Sequence, residues 1–365
     1  MRHVVLAALA LTALVGCRYR SAEPTSPEPR AQTRADVPDR PTPEVDPALV
    51  DKPKGGRSRP LVIDFLNAGQ GDCIHVACPN GNSIVVDCGS SGQPDPELVD
   101  IMAGLVADAT EVRVVVTHAD SDHYNRLEKA LGGVEIVRLF VGGRASYFDG
   151  KKAEGWFSDH AAEYPVGPFD GSELECGEDV KVEVLAASLN APEEKPSGAA
   201  KNNASIVLRL ERSGFGILLS GDAYEDAERW MLDTHGSALR SDVLKLGHHG
   251  SATSTSREWV EAVQPSHVVI TAGMHGGHKH PRCSVLDNLT ATKLKGAPTE
   301  HAIGCYDGSA WATTTSNQSA WSTCDSGHVR LLVPAEGKPT IGPHVFPEDQ
   351  AGNGAGEKCP VRYSR

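Results

Sequence analysis

Apolar and polar positions along this chain change rhythm several times, and each change marks an element. Leu61 to Phe65 and Cys73 to Val76 read as two strands around the turn Gly69-Gln70-Gly71-Asp72. Pro79-Asn80-Gly81-Asn82 turns a second hairpin into Ser83-Ile84-Val85-Val86-Asp87-Cys88-Gly89. Between residues 95 and 109, Leu98, Ile101, Met102, Leu105 and Val106 recur at helical spacing and predict a one-faced helix. Val112-Arg113-Val114-Val115-Val116 is a β-branched run with the character of a buried strand. A helix is expected from His123 to Leu131, stopped by Gly132-Gly133, and another from Ala223 to Thr234. Further strands are predicted over Glu135 to Val141, within Cys176 to Leu185, and at Ile206 to Leu210, Phe215 to Leu219, Asp242 to Leu246, Val268 to Ile270 and Val329 to Val333. Periodicity alone supports a mixed α/β domain.

The ends of the chain lack this rhythm. Arg2 precedes an apolar run from Val4 to Val15, which is short of the about 20 residues a spanning helix needs and reads as an export signal. Leu14-Val15-Gly16-Cys17 resembles a bacterial lipobox, which implies cleavage before Cys17 and a lipid on that cysteine; a plain secretory signal is the competing reading. Residues 18–59 are rich in Pro, Glu, Arg, Ser and Thr and cannot offset their ordering entropy by burial, so they are expected to form a disordered linker. The expected organisation is a signal over 1–17, the linker over 18–59, one domain over 60–335 and a loose tail over 336–365, with Cys359 a candidate tether.

Charge narrows the partners. With 35 Lys and Arg against 48 Asp and Glu, the net charge is −13, which gives no broad cationic footprint for nucleic acid, and 5% aromatic residues is low for a base-stacking platform. Nine cysteines leave eight once Cys17 is set aside, and an even number in an exported chain points to disulfides. No CxxC occurs, which argues against a thiolate zinc cluster. Cys305 and Cys324 bracket a Ser/Thr-rich, hairpin-like stretch and are the favoured pair.

The chemistry concentrates at strand ends. Thr117-His118-Ala119-Asp120-Ser121-Asp122-His123 closes a β-branched strand with two imidazoles and two carboxylates, a costly set unless it is paired or bound to metal. Asp122 also reads as a helix cap, but a cap accounts for one carboxylate and leaves the other donors unexplained. Ser220-Gly221-Asp222 ends the next such strand, with Asp222 either a ligand or the cap of the following helix. Leu246-Gly247-His248-His249-Gly250-Ser251 repeats the design. Adjacent side chains diverge, so one of His248 and His249 would bind metal and the other face substrate; His248 is taken as the ligand. His275, His278 and His280-Pro281 follow the Val268 strand.

These stretches resemble the metallo-β-lactamase superfamily, whose loop pattern is HxHxDH, with Asp120 standing where the second His usually lies. That His-to-Asp form, together with Gly-Gln-Gly-Asp, Val-Asp-Cys-Gly and His-His-Gly-Ser, resembles the hydrolase domain of ComEC-type competence proteins. The resemblance implies a four-layer αββα sandwich. It also implies two divalent ions, Zn or Mn, held by His118, Asp120, Asp122, His123, Asp222 and His248, with Asp222 bridging them. Asp87 would orient His118 or its neighbours, against a turn-capping alternative. Asn203 or Ser205 would contact a metal-bound water, against simple polarity before a strand; superfamily members usually carry a metal-binding His in this region and this chain has none. His249 and Ser251 would face substrate, and His280 would bind substrate or protonate a leaving group. Asp122, Asp222 and His280 are thus the expected catalytic residues.

The expected activity is metal-assisted hydrolysis of a phosphodiester, with nucleic acid as a candidate substrate, by water whose pKa falls from 15.7 to about 7 at the ions. Asp120 in place of an imidazole hardens the site and makes Mn²⁺ a rival to Zn²⁺. Two alternatives stay open: hydrolysis of a β-lactam or another carboxylic substrate, and a binding lipoprotein with an idle site. The chain would act outside the cytoplasm, tethered through the lipid on Cys17.

Overall fold

The computed structural model describes residues 58–347 except 93–96, 152–153, 168, 193–195, 274–276, 292–302 and 315–318. The export signal, Cys17, nearly all of the linker, His275 and Cys359 lie outside the described residues. The strands are β1 (Leu61–Phe65), β2 (Cys73–Ala77), β3 (Ser83–Cys88), β4 (Val112–Val116), β5 (Ile136–Val141), β6 (Val180–Ala186), β7 (Val207–Arg212), β8 (Phe215–Leu219), β9 (Val243–Lys245), β10 (His267–Ile270), β11 (Ile303–Tyr306), β12 (Trp311–Thr314), β13 (Ser319–Ser322), β14 (His328–Val333) and β15 (Thr340–His344). The main helices are α1 (Leu98–Val106), α2 (Ser121–Tyr124), α3 (Leu127–Ala130), α4 (Glu154–Asp159), α5 (Gly198–Asn203), α6 (Glu225–His235), α7 (Arg257–Val263) and α8 (Cys283–Ala291).

One sheet has the order β15-β14-β1-β2-β3-β4-β5 and the other β13-β10-β9-β8-β7-β6. Period-two alternation decides what each strand gives to each side. Leu61, Ile63 and Phe65 of β1, Ile74 and Val76 of β2, Leu208 and Leu210 of β7, and Ile217 and Leu219 of β8 share one apolar layer between the sheets. Val112, Val114 and Val116 of β4 point the other way, onto Ile101 and Met102 of α1, Leu127 of α3 and Phe157 of α4. Leu218 and Leu244 face Met231 of α6, Trp259 of α7 and Leu286 of α8. Helices therefore cover the outer face of each sheet, and the fold is the αββα sandwich expected from the resemblance.

Both sheets change direction in the same way. β3, β4 and β5 are parallel in the first sheet, and β8, β9, β10 and β13 are parallel in the second. Parallel neighbours end on one rim, which is where open α/β sheets place their ligand sites.

Three expectations are corrected. Cys305 pairs with Cys283, at a Cα separation of 5.0 Å, and not with Cys324. The backbone bridge between Arg282 and Tyr306 sets β11 against the start of α8 and brings those two thiols together. Cys73–Cys88 and Cys78–Cys176 are also joined. The helix expected over His123 to Leu131 is two short ones, α2 and α3. Arg126 N donates to Cys88 O (3.0 Å) and Asn125 exchanges two hydrogen bonds with the Ser90 backbone, so the chain is drawn back onto β3. Finally, β15 pairs with β14, so ordered strand continues past residue 335 into the segment expected to be loose.

A buried carboxyl joins two helices of the outer layer. Glu228 of α6 accepts hydrogen bonds from Thr255 N (2.5 Å) and Ser256 N (3.0 Å) just before α7, and burial raises its pKa to about 7. Because the folded-state pKa lies above the ordinary 4.5, the folded chain binds more protons across that interval. The associated stability, roughly 3 kcal/mol, is fully present below pH 4.5 and lost as pH rises through 7. Glu228→Gln should lack this slope, so its melting temperature should rise relative to the parent between pH 5 and pH 8. Parallel melting curves would refute the assignment.

Candidate metal centre

The rim is built from short returns of chain at the strand ends. After β4 come Thr117 and His118; after β8 comes Ser220-Gly221-Asp222; after β9 comes Gly247-His248-His249. Gly221 takes φ +52°, where a Cβ would sit about 3.0 Å from Thr117 Cβ, so a side chain here would separate Asp222 from the His118 loop. Asp222 N donates to Ser205 Oγ (3.1 Å) and Tyr224 N to Asn203 Oδ1 (3.2 Å). Asn203 and Ser205 thus hold the loop that carries Asp222. His248 and His249 lie at φ +47° and +54°, two consecutive left-handed non-glycine residues. Backbone of this kind costs free energy and is found where a site requires it. It sends the two rings to different surroundings.

Three imidazoles are fixed in the same manner. Asp87 accepts from Thr117 N, Thr117 Oγ1 and His123 Nδ1, each at 2.7 Å. Thr117 has spent its hydroxyl proton on Asp87, so it accepts from His118 Nδ1 at 3.1 Å. His249 Nδ1 donates to Thr271 O (2.8 Å), a partner that can only accept. The proton of each ring is thereby placed on Nδ1, and His118, His123 and His249 are left with buried Nε2 atoms that have no partner. All three aim at Asp222 Oδ2, at 3.8, 3.3 and 3.5 Å respectively. Asp222 Oδ1 is likewise buried without a partner. Lone pairs of one kind converging on a carboxylate fit a divalent cation, and the outward hydrogen bonds are those that orient metal-binding histidines.

Protonation preferences follow the same arrangement. Burial and the neighbouring His123 push His118 down to about 3. Burial disfavours charge on His123 too, yet the Asp222 and Asp87 carboxylates outweigh it and raise its pKa well above the ordinary value. Burial would raise Asp222, but His249, His123 and His248 hold it well below the usual carboxylate range. The metal-free pocket thus favours positive charge beside Asp222.

Donor clusters form among His118, His123 and Asp222, among Asp122, His123 and His249, and among Asp72, Asp222 and His249, with donor atoms within 4.8 Å of one another. His249, not His248, is the histidine of that pair that enters them. His248 is partly exposed, pairs through Nδ1 with Thr253 Oγ1 (2.9 Å), stacks on Tyr224 (5.1 Å between centroids) and keeps Nε2 3.8 Å from Asp222. Ser251 Oγ accepts from Thr253 Oγ1 (3.0 Å) and supports that rim. Neither carboxylate capping alternative holds: the α2 and α6 caps are Asp120 and Tyr224, with no side-chain cap bond, and Asp122 lies inside α2. Asp120 meets Lys201 Nζ and lies 3.7 Å from His118 Nε2. The buried His280 ring lies 5.3 Å from that of His248, with Nδ1 unpartnered; burial and the nearby histidines lower its pKa to about 3.

Asp72, weighed from sequence only as a weaker candidate than Asp87, anchors a network that joins both sheets. Asp72, of the Gly-Gln-Gly-Asp turn, is buried against Lys245 Nζ (2.7 Å), Thr271 Oγ1 (2.5 Å) and His249 Nδ1 (3.4 Å). Burial would raise its pKa, but Lys245 and His249 prevail and hold it below the usual range. Lys245 itself is fully buried on β9 and also donates to Gly221 O and Leu246 O (3.2 Å each). The available signal was a lysine inside the apolar run Val243-Leu244-Lys245-Leu246, since a buried ammonium demands a partner. Trp156 and Phe157 pack with Tyr124 and Phe148, with Tyr164 and His160 beside them, in an aromatic cluster outside the first sheet.

A two-sheet sandwich that brings buried histidines and a shared aspartate to one rim has the layout of the metallo-β-lactamase fold. Sequences of the Metallo-beta-lactamase superfamily match residues 66–275, and the chain belongs to that superfamily. It is 27% identical over 249 residues to ComE operon protein 3 of Bacillus subtilis (strain 168), covering 64% of this chain and 31% of that protein. It is 26% identical over 244 residues to Competence protein ComA of Neisseria gonorrhoeae, covering 67% and 32%. The likeness to ComEC-type competence proteins is therefore found, and the chain spans about a third of the length of these relatives. Among solved structures, CmlA, a diiron β-hydroxylase from Streptomyces venezuelae, aligns at 13% identity over 66% of this chain and 51% of its own, with a TM-score of 0.38. No helix among the described residues is long and apolar enough to cross a membrane.

Proposed function

We propose that the chain is a metal-dependent phosphodiesterase acting outside the cytoplasm, with nucleic acid as its polymeric substrate class. The observation that carries this reading is the convergence of the unpartnered His118, His123 and His249 Nε2 atoms on Asp222. Asp122, His123, His249 and Asp222 would hold a Zn²⁺ or Mn²⁺ ion, with His118 and Asp120 on the side where a second is expected. When bound, such an ion supplies Lewis acidity, acidifying water and stabilising negative charge on a phosphoryl oxygen.

The chain's own residues supply the rest. Asp87 and Thr117 keep the His118 and His123 rings from turning, and Asp72 with Lys245 does the same for His249. His248 and His280 border the site, with 17% of the His248 side chain exposed and His280 Nδ1 buried without a partner beside it. Beside them Lys279 and Arg282 lie over the Tyr306 ring, at 4.6 and 5.1 Å from its centroid, and Lys279 Nζ meets Tyr306 Oη at 3.2 Å. Cations collected at this edge of a chain with net charge −13 suit a phosphate backbone better than a neutral amide. The three disulfides among the described residues support an oxidising compartment, as the export signal with a lipid on Cys17 would provide.

The test is turnover of bis(p-nitrophenyl) phosphate and of nitrocefin by the purified chain, before and after chelation, with added Mn²⁺ or Zn²⁺. Phosphodiester cleavage that disappears with chelator and returns with metal is expected. Nitrocefin cleavage alone would move the activity to β-lactams. Metal-free, inert protein would leave a binding lipoprotein.

A further inference from the structure

Of the three carboxylates expected to hold metal, Asp120, Asp122 and Asp222, it is Asp120 whose two oxygens are both engaged by the chain's own donors. Oδ1 meets Lys201 Nζ directly. With the Asn202 amide turned so that its nitrogen faces acceptors and its oxygen does not, Oδ2 accepts from it (3.1 Å) and its other proton goes to Gly198 O (2.9 Å). Asp120 belongs to none of the donor clusters found among the described residues, whereas Asp122, Asp222, His118, His123 and His249 all do. The helix that carries Lys201 is anchored to the metal loop. Ser197 Oγ caps α5 by accepting from Ala200 N (3.1 Å), and Ile206 N, just beyond α5, donates to Thr117 O (2.9 Å). Asn203 and Ser205, in the same segment, hold the Asp222 loop. Lys201 is thus delivered to Asp120 by an element tied to both sides of the site.

We propose that the Lys201 ammonium supplies the second positive charge of this centre, so that the chain holds one tightly bound divalent ion rather than the two expected from the sequence. This rests on the metal-dependent reading above and refines it. Two considerations support it. An ammonium in contact with Asp120 repels a second dication there and occupies the oxygen that ion would need. Lysine also keeps three rotatable donors on a compact charge, and with about a fifth of its side chain exposed it retains donors for a phosphate oxygen of an incoming diester. Lys201 and Asn202 are then positioning residues for Asp120, and Lys201 in addition a substrate-binding group.

Metal stoichiometry decides the matter independently of turnover. The full chain, stripped by chelator and reloaded with Mn²⁺, is measured by native mass spectrometry and titration calorimetry as parent, Lys201→Met, Lys201→Arg and Asp120→Asn. One ion per chain is expected for the parent and for Lys201→Arg, and two for Lys201→Met, where Asp120 is released to bind metal. Asp120→Asn should keep one ion with its dissociation constant changed less than about threefold, which tests the idea even where Lys201→Met fails to fold. Two ions in the parent, or loss of one ion in Asp120→Asn, would overturn the proposal, as would Lys201→Met remaining at one. Absence of any bound ion would instead overturn the metal-dependent reading itself.

Discussion

Asp222→Asn is expected to reduce phosphodiester turnover by roughly a thousandfold and to weaken metal binding in parallel. A bound ion is worth several kcal/mol of transition-state stabilisation, and each 1.36 kcal/mol corresponds to about a factor of ten. Asp222 Oδ2 is the atom the buried His118, His123 and His249 Nε2 atoms share, and asparagine offers there one neutral oxygen at most. The substitution leaves the surroundings in place, because the loop is held through its backbone by Ser205 and turned at Gly221. Metal content should fall while the circular dichroism of the metal-free protein stays that of the parent, a separation that distinguishes loss of a ligand from loss of fold. Turnover within tenfold of the parent would show that the shared position is not where the ion is held.

Much of this centre was legible because metal sites need unusual residues in unusual company. Two imidazoles and two carboxylates at the end of Val112-Arg113-Val114-Val115-Val116 have no structural excuse, and the structure places three of the four in donor clusters. The alternation of β1 and β4 fixed which side chains enter the layer between the sheets, so the strands and their approximate limits followed from period alone. What failed depended on geometry that no period encodes. The choice between His248 and His249 turns on two consecutive left-handed residues, a backbone state invisible in His-His-Gly-Ser. The Cys283–Cys305 pairing depends on how β11 meets the start of α8, a long-range contact with no local trace. Asp72 looked like one more turn residue because its partner, Lys245, lies far along the chain in another sheet. Lys201 was overlooked for a related reason: a lysine in a polar stretch is ordinary until the fold sets it against Asp120.

The Asp72–Lys245 pair leads to the second large effect, which is on stability as well as chemistry. Both groups are buried, and removing one leaves the other charged and uncompensated in the interior, which costs about 3–5 kcal/mol. For a domain of this size Asp72→Ala should lower the melting temperature by roughly 10 °C. It should also weaken metal affinity by about 10- to 100-fold, because His249 then keeps Thr271 O as its orienting partner and loses the carboxylate behind its ring. Lys245→Met alone should destabilise for the complementary reason, leaving the Asp72 carboxylate buried beside His249. The double substitution removes both charges at once, so it should be less destabilised than the sum of the singles, with a coupling between contacting residues of about 1–3 kcal/mol. The two readouts separate two roles. If stability recovers in the double variant while metal affinity stays low, Lys245 serves to neutralise Asp72, and Asp72 serves to aim His249. If the losses in stability simply add, the pair is not coupled, and Asp72 acts on the metal site independently of Lys245, through His249 and through the hydrogen bond from Asp72 N to Asp122 O (3.1 Å).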